Sequence, residues 1–147
     1  MKYPRLCKTI EHLVDTGAVD GRTRLVKLVY LSDKKWFETK GSNYTEARYY
    51  RWNHGPFARE ILAAVEWMDG VELIEKEHYG GQGVFYTYSP GERTRLHDVQ
   101  LDPEFRGIVD HVVGTWRTAS LQSLLAHVYE QQDFERARFG DNLLARD

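Results

Sequence analysis

The chain of 147 residues has little that would tie it to a membrane or to an oxidising compartment. Its single cysteine, Cys7, rules out an internal disulfide, and one lone thiol is typical of a reducing compartment. No run approaches the roughly 20 apolar residues that cross a bilayer. The basic start is not followed by the apolar run of a signal peptide. We therefore expect a cytoplasmic protein with no membrane partner.

The sequence also lacks a large excess of positive or negative charge. Lys and Arg number 20 against 22 Asp and Glu, which gives a formal net charge of −2. This balance disfavours a globally basic nucleic-acid binder but leaves room for a local basic patch. The length and a hydrophobic content of 41% are typical of one soluble globular domain over residues 1–147.

Motifs that most often identify an enzyme or a metal site are missing from the sequence. No two of the six histidines lie four apart, and there is no H-E-x-x-H, C-x-x-C, G-x-S-x-G or Walker-type glycine loop. Cys7 lies on the polar side of a predicted first helix, so we expect a surface or half-buried structural thiol. The sequence therefore predicts no catalytic residue, no metal site and no cofactor.

Helical periodicity is strong in the N-terminal part. Apolar spacing predicts a first helix over Pro4–Asp15 and a second over Arg22–Lys40, with Asp20 capping the second and Gly41 ending it. The second helix is apolar on more than one side, which indicates a central position. Its basic residues are expected to form a solvated face: Arg22, Arg24, Lys27, Lys34 and Lys35.

The middle of the chain alternates between strand and helix patterns. Glu46–Trp52 has the period-two alternation of a strand. Pro56 is expected to open a third helix that runs to Met68, because proline is favoured at the first helical position. Phe57 would then belong to the apolar stripe of that helix.

A hairpin and two further helices follow. Val71–His78 and Val84–Tyr88 are predicted to pair through a glycine-rich loop. Asp102 caps a fourth helix that begins with a proline, and Thr118 or Ser120 caps the fifth.

The tail Asp133–Asp147 keeps enough apolar residues to pack back on the domain or on a partner. Five helices with a small antiparallel sheet or hairpin indicate a mainly helical α+β fold, with an element order like that of winged-helix proteins.

One segment, Arg48–Phe57, concentrates the residue types that dominate protein interfaces. Tyr, Trp and Arg combine large apolar area with a polar group, which is why they are enriched at binding hot spots. The alternative is a purely structural segment, in which Trp52 is core, His54 satisfies a backbone group and Gly55-Pro56 forms a turn. The sequence leaves both open, and neither makes the segment catalytic.

Two stretches resemble a known family. Leu25–Asp33 resembles the K-L-x-Y-x-x-D segment of the Panacea domain, also called the SocA-like antitoxin domain. Tyr50–Phe57 is similar to the A-W-x-x-G-P-V segment of that family.

This resemblance implies a non-catalytic antitoxin of a type II, phage-associated toxin–antitoxin system that neutralises a cognate toxin protein. Related members act as adaptors that deliver a toxin to a cellular protease. The resemblance also implies which residues shape or support the partner-binding surface: Tyr30, Asp33, Tyr50, Trp52, His54, Gly55 and Pro56.

The alternative function is a winged-helix DNA-binding transcriptional regulator. The order of three helices and a glycine-tipped hairpin favours it, and its partner would be operator DNA. The predicted third helix argues against it, because Arg59 is its only base and Glu60 and Glu66 add negative charge.

Overall fold

The computed structural model describes residues 3–52, 55–81, 83–130 and 137–144. It confirms the mainly helical α+β class. The helices are α1 Pro4–Thr16, α2 Arg22–Lys40, α3 Arg59–Met68, α4 Pro103–Trp116 and α5 Leu121–Tyr129. The strands are β1 Tyr49–Trp52, β2 Gly55–Phe57, β3 Leu73–Gly80, β4 Gly83–Pro90 and β5 Asn142–Leu143.

Helix α2 is the centre of the fold, as its broad apolar surface predicts. Every residue from Arg24 to Asp33 is buried, and the helix contacts α1, α4, α5 and β2. Gly41 ends it in the left-handed conformation at φ 78°. The predicted cap is wrong: Gly21 holds the N-cap position, and the Asp20 carboxylate instead accepts a 2.9 Å hydrogen bond from Arg24 Nε.

The basic residues of α2 do not form the solvated face that we expected. Arg24 and Lys27 are buried because other elements surround the first half of the helix. The Arg24 guanidinium donates hydrogen bonds to the carbonyl oxygens of Trp116 and Ala119. Arg24 therefore serves packing and hydrogen bonding inside the domain.

Helix α1 contacts α2, α3, α4 and β4. More of its surface is therefore buried than the single apolar stripe that the sequence predicts. Cys7 is consequently only 1% exposed, which corrects the expected surface or half-buried position. Burial, with the Glu72 carboxylate nearby, raises the pKa of the Cys7 thiol to about 11. Cys7 is thus a buried thiol at neutral pH.

The strands form two separate antiparallel sheets, ordered β2-β1-β5 and β3-β4.

The third helix begins later than predicted. Pro56 pairs with Arg51 inside β2, and α3 starts at Arg59, with Ala58 as its N-cap. Phe57 belongs to β2 as well. Proline is tolerated there because β2 is an edge strand, where its missing N–H is not needed for pairing.

The predicted hairpin is confirmed as β3 and β4, which pair from Leu73–Pro90 to Gly80–Gly83. Asp102 caps α4 by accepting from the backbone N–H groups of Glu104 and Phe105, and Ser120 caps α5.

The described part of the tail packs on the domain. Leu143 in β5 is buried and pairs with Tyr49 of β1, whereas residues 133–136 and 145–147 of the predicted tail lie outside the described residues. Within the described part of the chain, each helix is too short or too polar to cross a membrane.

Candidate partner-binding site

The two motif stretches meet in the tertiary structure at Lys27 and Gly55-Pro56. Lys27 Nζ donates a 2.8 Å hydrogen bond to the Pro56 carbonyl oxygen. Gly55 has a φ of +100°, and a Cβ on it would lie 3.2 Å from Tyr129 Cε1 and 3.3 Å from Lys27 Cε. The positive φ favours glycine here, and a Cβ would also be tight against side chains of α2 and α5.

A buried group of hydrogen bonds ties Asp33, at the end of the first stretch, to residues just before the second. The Asp33 carboxylate accepts from the Thr45 N–H at 3.0 Å, from Thr45 Oγ1 at 2.5 Å and from the Tyr49 hydroxyl at 2.6 Å. The Tyr49 ring also meets the Tyr30 ring edge-on at 5.1 Å. This group fixes the start of β1 against the C-terminal half of α2.

The electrostatics of this group follow from its burial. Loss of solvation raises the pKa of Asp33 to about 6, although the hydrogen bonds from Thr45 and Tyr49 oppose the shift. Burial and the neighbouring Asp33 carboxylate raise the pKa of the Tyr49 hydroxyl well above its ordinary value. The hydroxyl therefore remains a hydrogen-bond donor at neutral pH.

The residues implied by the resemblance separate into a buried layer and an exposed one. Tyr30, Asp33, Gly55 and Pro56 are buried, so they are not part of the exposed surface in this structure. Tyr50 is partly buried, and Trp52 is 48% exposed. His54 lies outside the described residues.

Sequence reasoning did not single out Phe139, which the fold brings onto Trp52. The two rings stack with centroids 4.8 Å apart, and Phe139 is itself 60% exposed. Backbone hydrogen bonds from Arg51 N to Asp141 O and from Gly140 N to Arg51 O hold this segment beside β1. We call the Trp52–Phe139 pair the aromatic platform. The only sequence signal for it was the apolar content of the tail.

A pocket of about 230 Å³ lies next to the platform. We call it the Lys27 pocket. Burial lowers the pKa of the Lys27 ammonium to about 8. The pocket combines apolar walls with two basic residues: its lining is Arg22, Thr23, Val26, Lys27, Trp52, Gly55, Phe57 and Leu62.

The hairpin carries a separate exposed apolar group near its tip, formed by Tyr79, Val84 and Phe85. His78 stacks on Phe85 at 4.8 Å. Helices α1, α2 and α3 precede this hairpin, as in a winged helix, but β1 and β2 lie between α2 and α3. Helix α3 nevertheless has Arg59 as its only base, which leaves little positive charge for phosphate contacts.

Two charged side chains of the site, Lys27 and Asp33, make hydrogen bonds to neighbouring elements. Lys27 positions the backbone at Pro56, and Asp33 gathers Thr45 and Tyr49. Across residues 3–52, 55–81, 83–130 and 137–144, no three His, Cys, Asp or Glu side chains are grouped so as to hold a metal ion. The site thus combines buried hydrogen bonds with exposed aromatic side chains.

Comparison with known proteins agrees with the family resemblance of the two motif stretches. The family model described as "Antitoxin SocA-like, Panacea domain" matches residues 25–133, which is well over half of the chain and includes both motif stretches. No curated protein and no solved structure gives a significant match.

Proposed function

Because the chain belongs to the SocA-like antitoxin family with a Panacea domain, we propose that it is a non-catalytic antitoxin that binds and neutralises a cognate toxin protein in the cytoplasm. The proposal includes delivery of the bound toxin to a cellular protease, as an adaptor would do. The toxin would be covered by the aromatic platform and by the neighbouring side chains of β1 and β2.

The observation that carries the proposal is the exposure of two stacked aromatic rings. Trp52 is 48% and Phe139 60% exposed, although each offers a large apolar area. Exposed aromatic groups on a rigid support are the usual anchors of protein interfaces, because their burial on binding releases water at small entropic cost. A structural role alone would favour covering these rings inside the domain.

The support beneath the platform favours binding over chemistry. The buried Asp33 group and the Lys27–Pro56 hydrogen bond hold β1 and β2 in place before a partner arrives. Such preorganisation reduces the ordering cost of association.

Co-expression with the toxin-like reading frame next to the gene tests the proposal. We expect the wild-type protein to restore growth and to be retained with the toxin in a pull-down. The double variant Tyr50→Ala, Trp52→Ala should lose both effects and keep its circular dichroism spectrum. Trp67→Ala is the matched control, because Trp67 is also exposed but lies on α3 under Arg95.

Two results would refute the proposal: no neighbouring frame is toxic, or the double variant neutralises as well as Trp67→Ala. The adaptor step is tested separately, by the toxin half-life in cells with and without the antitoxin. An unchanged half-life together with restored growth would leave neutralisation by binding alone.

A further inference from the structure

We propose that the Lys27 pocket binds the C-terminal residue of the partner chain, with the free carboxylate on Lys27 and an apolar side chain against Val26, Phe57 and Leu62. This inference rests on the proposed function, since it names the chemistry by which the same surface recognises its partner. The proposed ligand is a free C-terminus.

The first argument is an uncompensated charge. Lys27 is 3% exposed, and an ammonium has three N–H donors. Within the described residues it donates to one acceptor, the Pro56 carbonyl oxygen. No acidic side chain in that part of the chain forms an ion pair with Lys27. Arg22, which lines the same pocket, differs: its guanidinium donates to both carboxylate oxygens of Glu75, at 2.9 and 3.2 Å.

A buried cation without a counter-ion is costly, and burial is the cause of the lowered pKa of Lys27. An entering carboxylate would supply the missing partner in a site of low polarity, where charge-assisted hydrogen bonds are strongest. A neutral ligand would leave the cost in place. Charge complementarity therefore selects an anion.

The second argument is size and wall chemistry. The pocket volume, about 230 Å³, falls below the range of roughly 300–1,000 Å³ that is typical of small-molecule sites, so it suits a single residue. An internal Asp or Glu would place its charged side chain among apolar walls. A C-terminal residue instead offers a backbone carboxylate and an apolar side chain together.

The third argument is position. Trp52 belongs to both the aromatic platform and the pocket lining, so a partner that covers the platform also reaches the pocket. Gly55 also lines the pocket, and its lack of a side chain lets the amine lie close to the backbone, since a Cβ there would lie 3.5 Å from Lys27 Nζ. Pocket and platform thus form one continuous surface.

The test uses fluorescein-labelled pentapeptides, Gly-Ser-Gly-Ser-Leu and Gly-Ser-Gly-Ser-Phe, as free acids and as C-terminal amides, with fluorescence anisotropy as the readout. We expect the free acids to bind about tenfold more tightly than the amides, the effect of one charge-assisted hydrogen bond. Lys27→Met should abolish that difference, whereas Lys35→Met, an exposed lysine on the same helix, should retain it. Binding should also shift the NMR signal of the Trp52 indole N–H.

Equal affinity for acids and amides overturns the inference, as does a Lys27→Met protein that still distinguishes them. The inference is also overturned if an amidated peptide with an internal Asp binds as tightly as the free acids. It is overturned as well if no peptide binds at concentrations up to about 1 mM. If Lys27→Met does not fold, the inference is tested on the wild-type protein alone, by the difference in affinity between acids and amides and by the shift of the Trp52 signal. Removing the last residue of the neutralised toxin separates the two hypotheses, because retention without that residue refutes the inference and leaves the proposed function standing.

Discussion

Lys27 Nζ and the carbonyl oxygen of Pro56, 2.8 Å apart, join the two sequence stretches that identify the family. The lysine comes from the buried half of α2, and the proline from edge strand β2. This hydrogen bond connects the central helix to the strand that borders the aromatic platform. Burial makes the Lys27 ammonium, which is the donor of this bond, easier to deprotonate.

The pH dependence of stability reports on this lysine. The pKa of Lys27 is lowered from 10.5 to about 8 in the folded protein, so between these values the unfolded chain binds the extra proton. Lys27 therefore makes the free energy of unfolding rise with pH across that window, by about 3 kcal/mol. Urea titrations should show this rise in the wild-type protein relative to Lys27→Met. Parallel pH curves for the two proteins would contradict it, and Lys35→Met serves as the control.

Replacing Gly55 by alanine should destabilise the fold and disturb the site. Its φ of +100° and contacts at 3.2 and 3.3 Å both oppose a Cβ, so we expect a loss of about 1–3 kcal/mol or more. Gly70→Ala is the matched control, because Gly70 has a φ of +90° but nothing within 4 Å of the added Cβ. The difference between the two variants in chemical denaturation measures the contact with Lys27 and Tyr129. Equal losses would show that the backbone alone requires glycine.

Asp33 should give the opposite pH dependence in the acidic range. Burial raises its pKa from 3.8 to about 6, so the folded protein binds the proton more tightly. Its contribution to the free energy of unfolding is full below pH 3.8 and decreases by about 3 kcal/mol as the pH rises through 6. We expect the wild-type curve to fall relative to that of Asp33→Asn over this range. Asp98→Asn, at an exposed position, should follow the wild-type protein; if Asp33→Asn does so as well, the assignment fails.

The C-terminal segment offers a test that separates stability from recognition. Leu143 is buried in β5, so Leu143→Ala should cost about 2–5 kcal/mol in the free energy of unfolding. Phe139 is exposed, and Phe139→Ala should change stability by about 1 kcal/mol or less while weakening toxin retention. Thermal unfolding together with the pull-down measures both. A large stability loss in Phe139→Ala would identify the ring as part of the core.

Local patterns were sufficient for much of the fold. Helix α2 was predicted with the bounds observed, Arg22–Lys40, because its apolar residues repeat at helical spacing and Gly41 allows the left-handed end. The Asp102 cap of α4 and the hairpin also follow from short-range signals. The predicted helix start at Pro56 is wrong, because proline is favoured both at a helix start and in an edge strand. Only pairing with β1 decides between these two.

The sequence by itself determined the type of most elements and, through its two motifs, the family. The tertiary structure alone decided that Lys27, Arg24 and Cys7 are buried, and that Phe139 stacks on Trp52. The physical reason is the range of the interactions. Helix and hairpin signals act over a few residues, whereas burial of a cation and stacking of distant rings depend on which elements pack together.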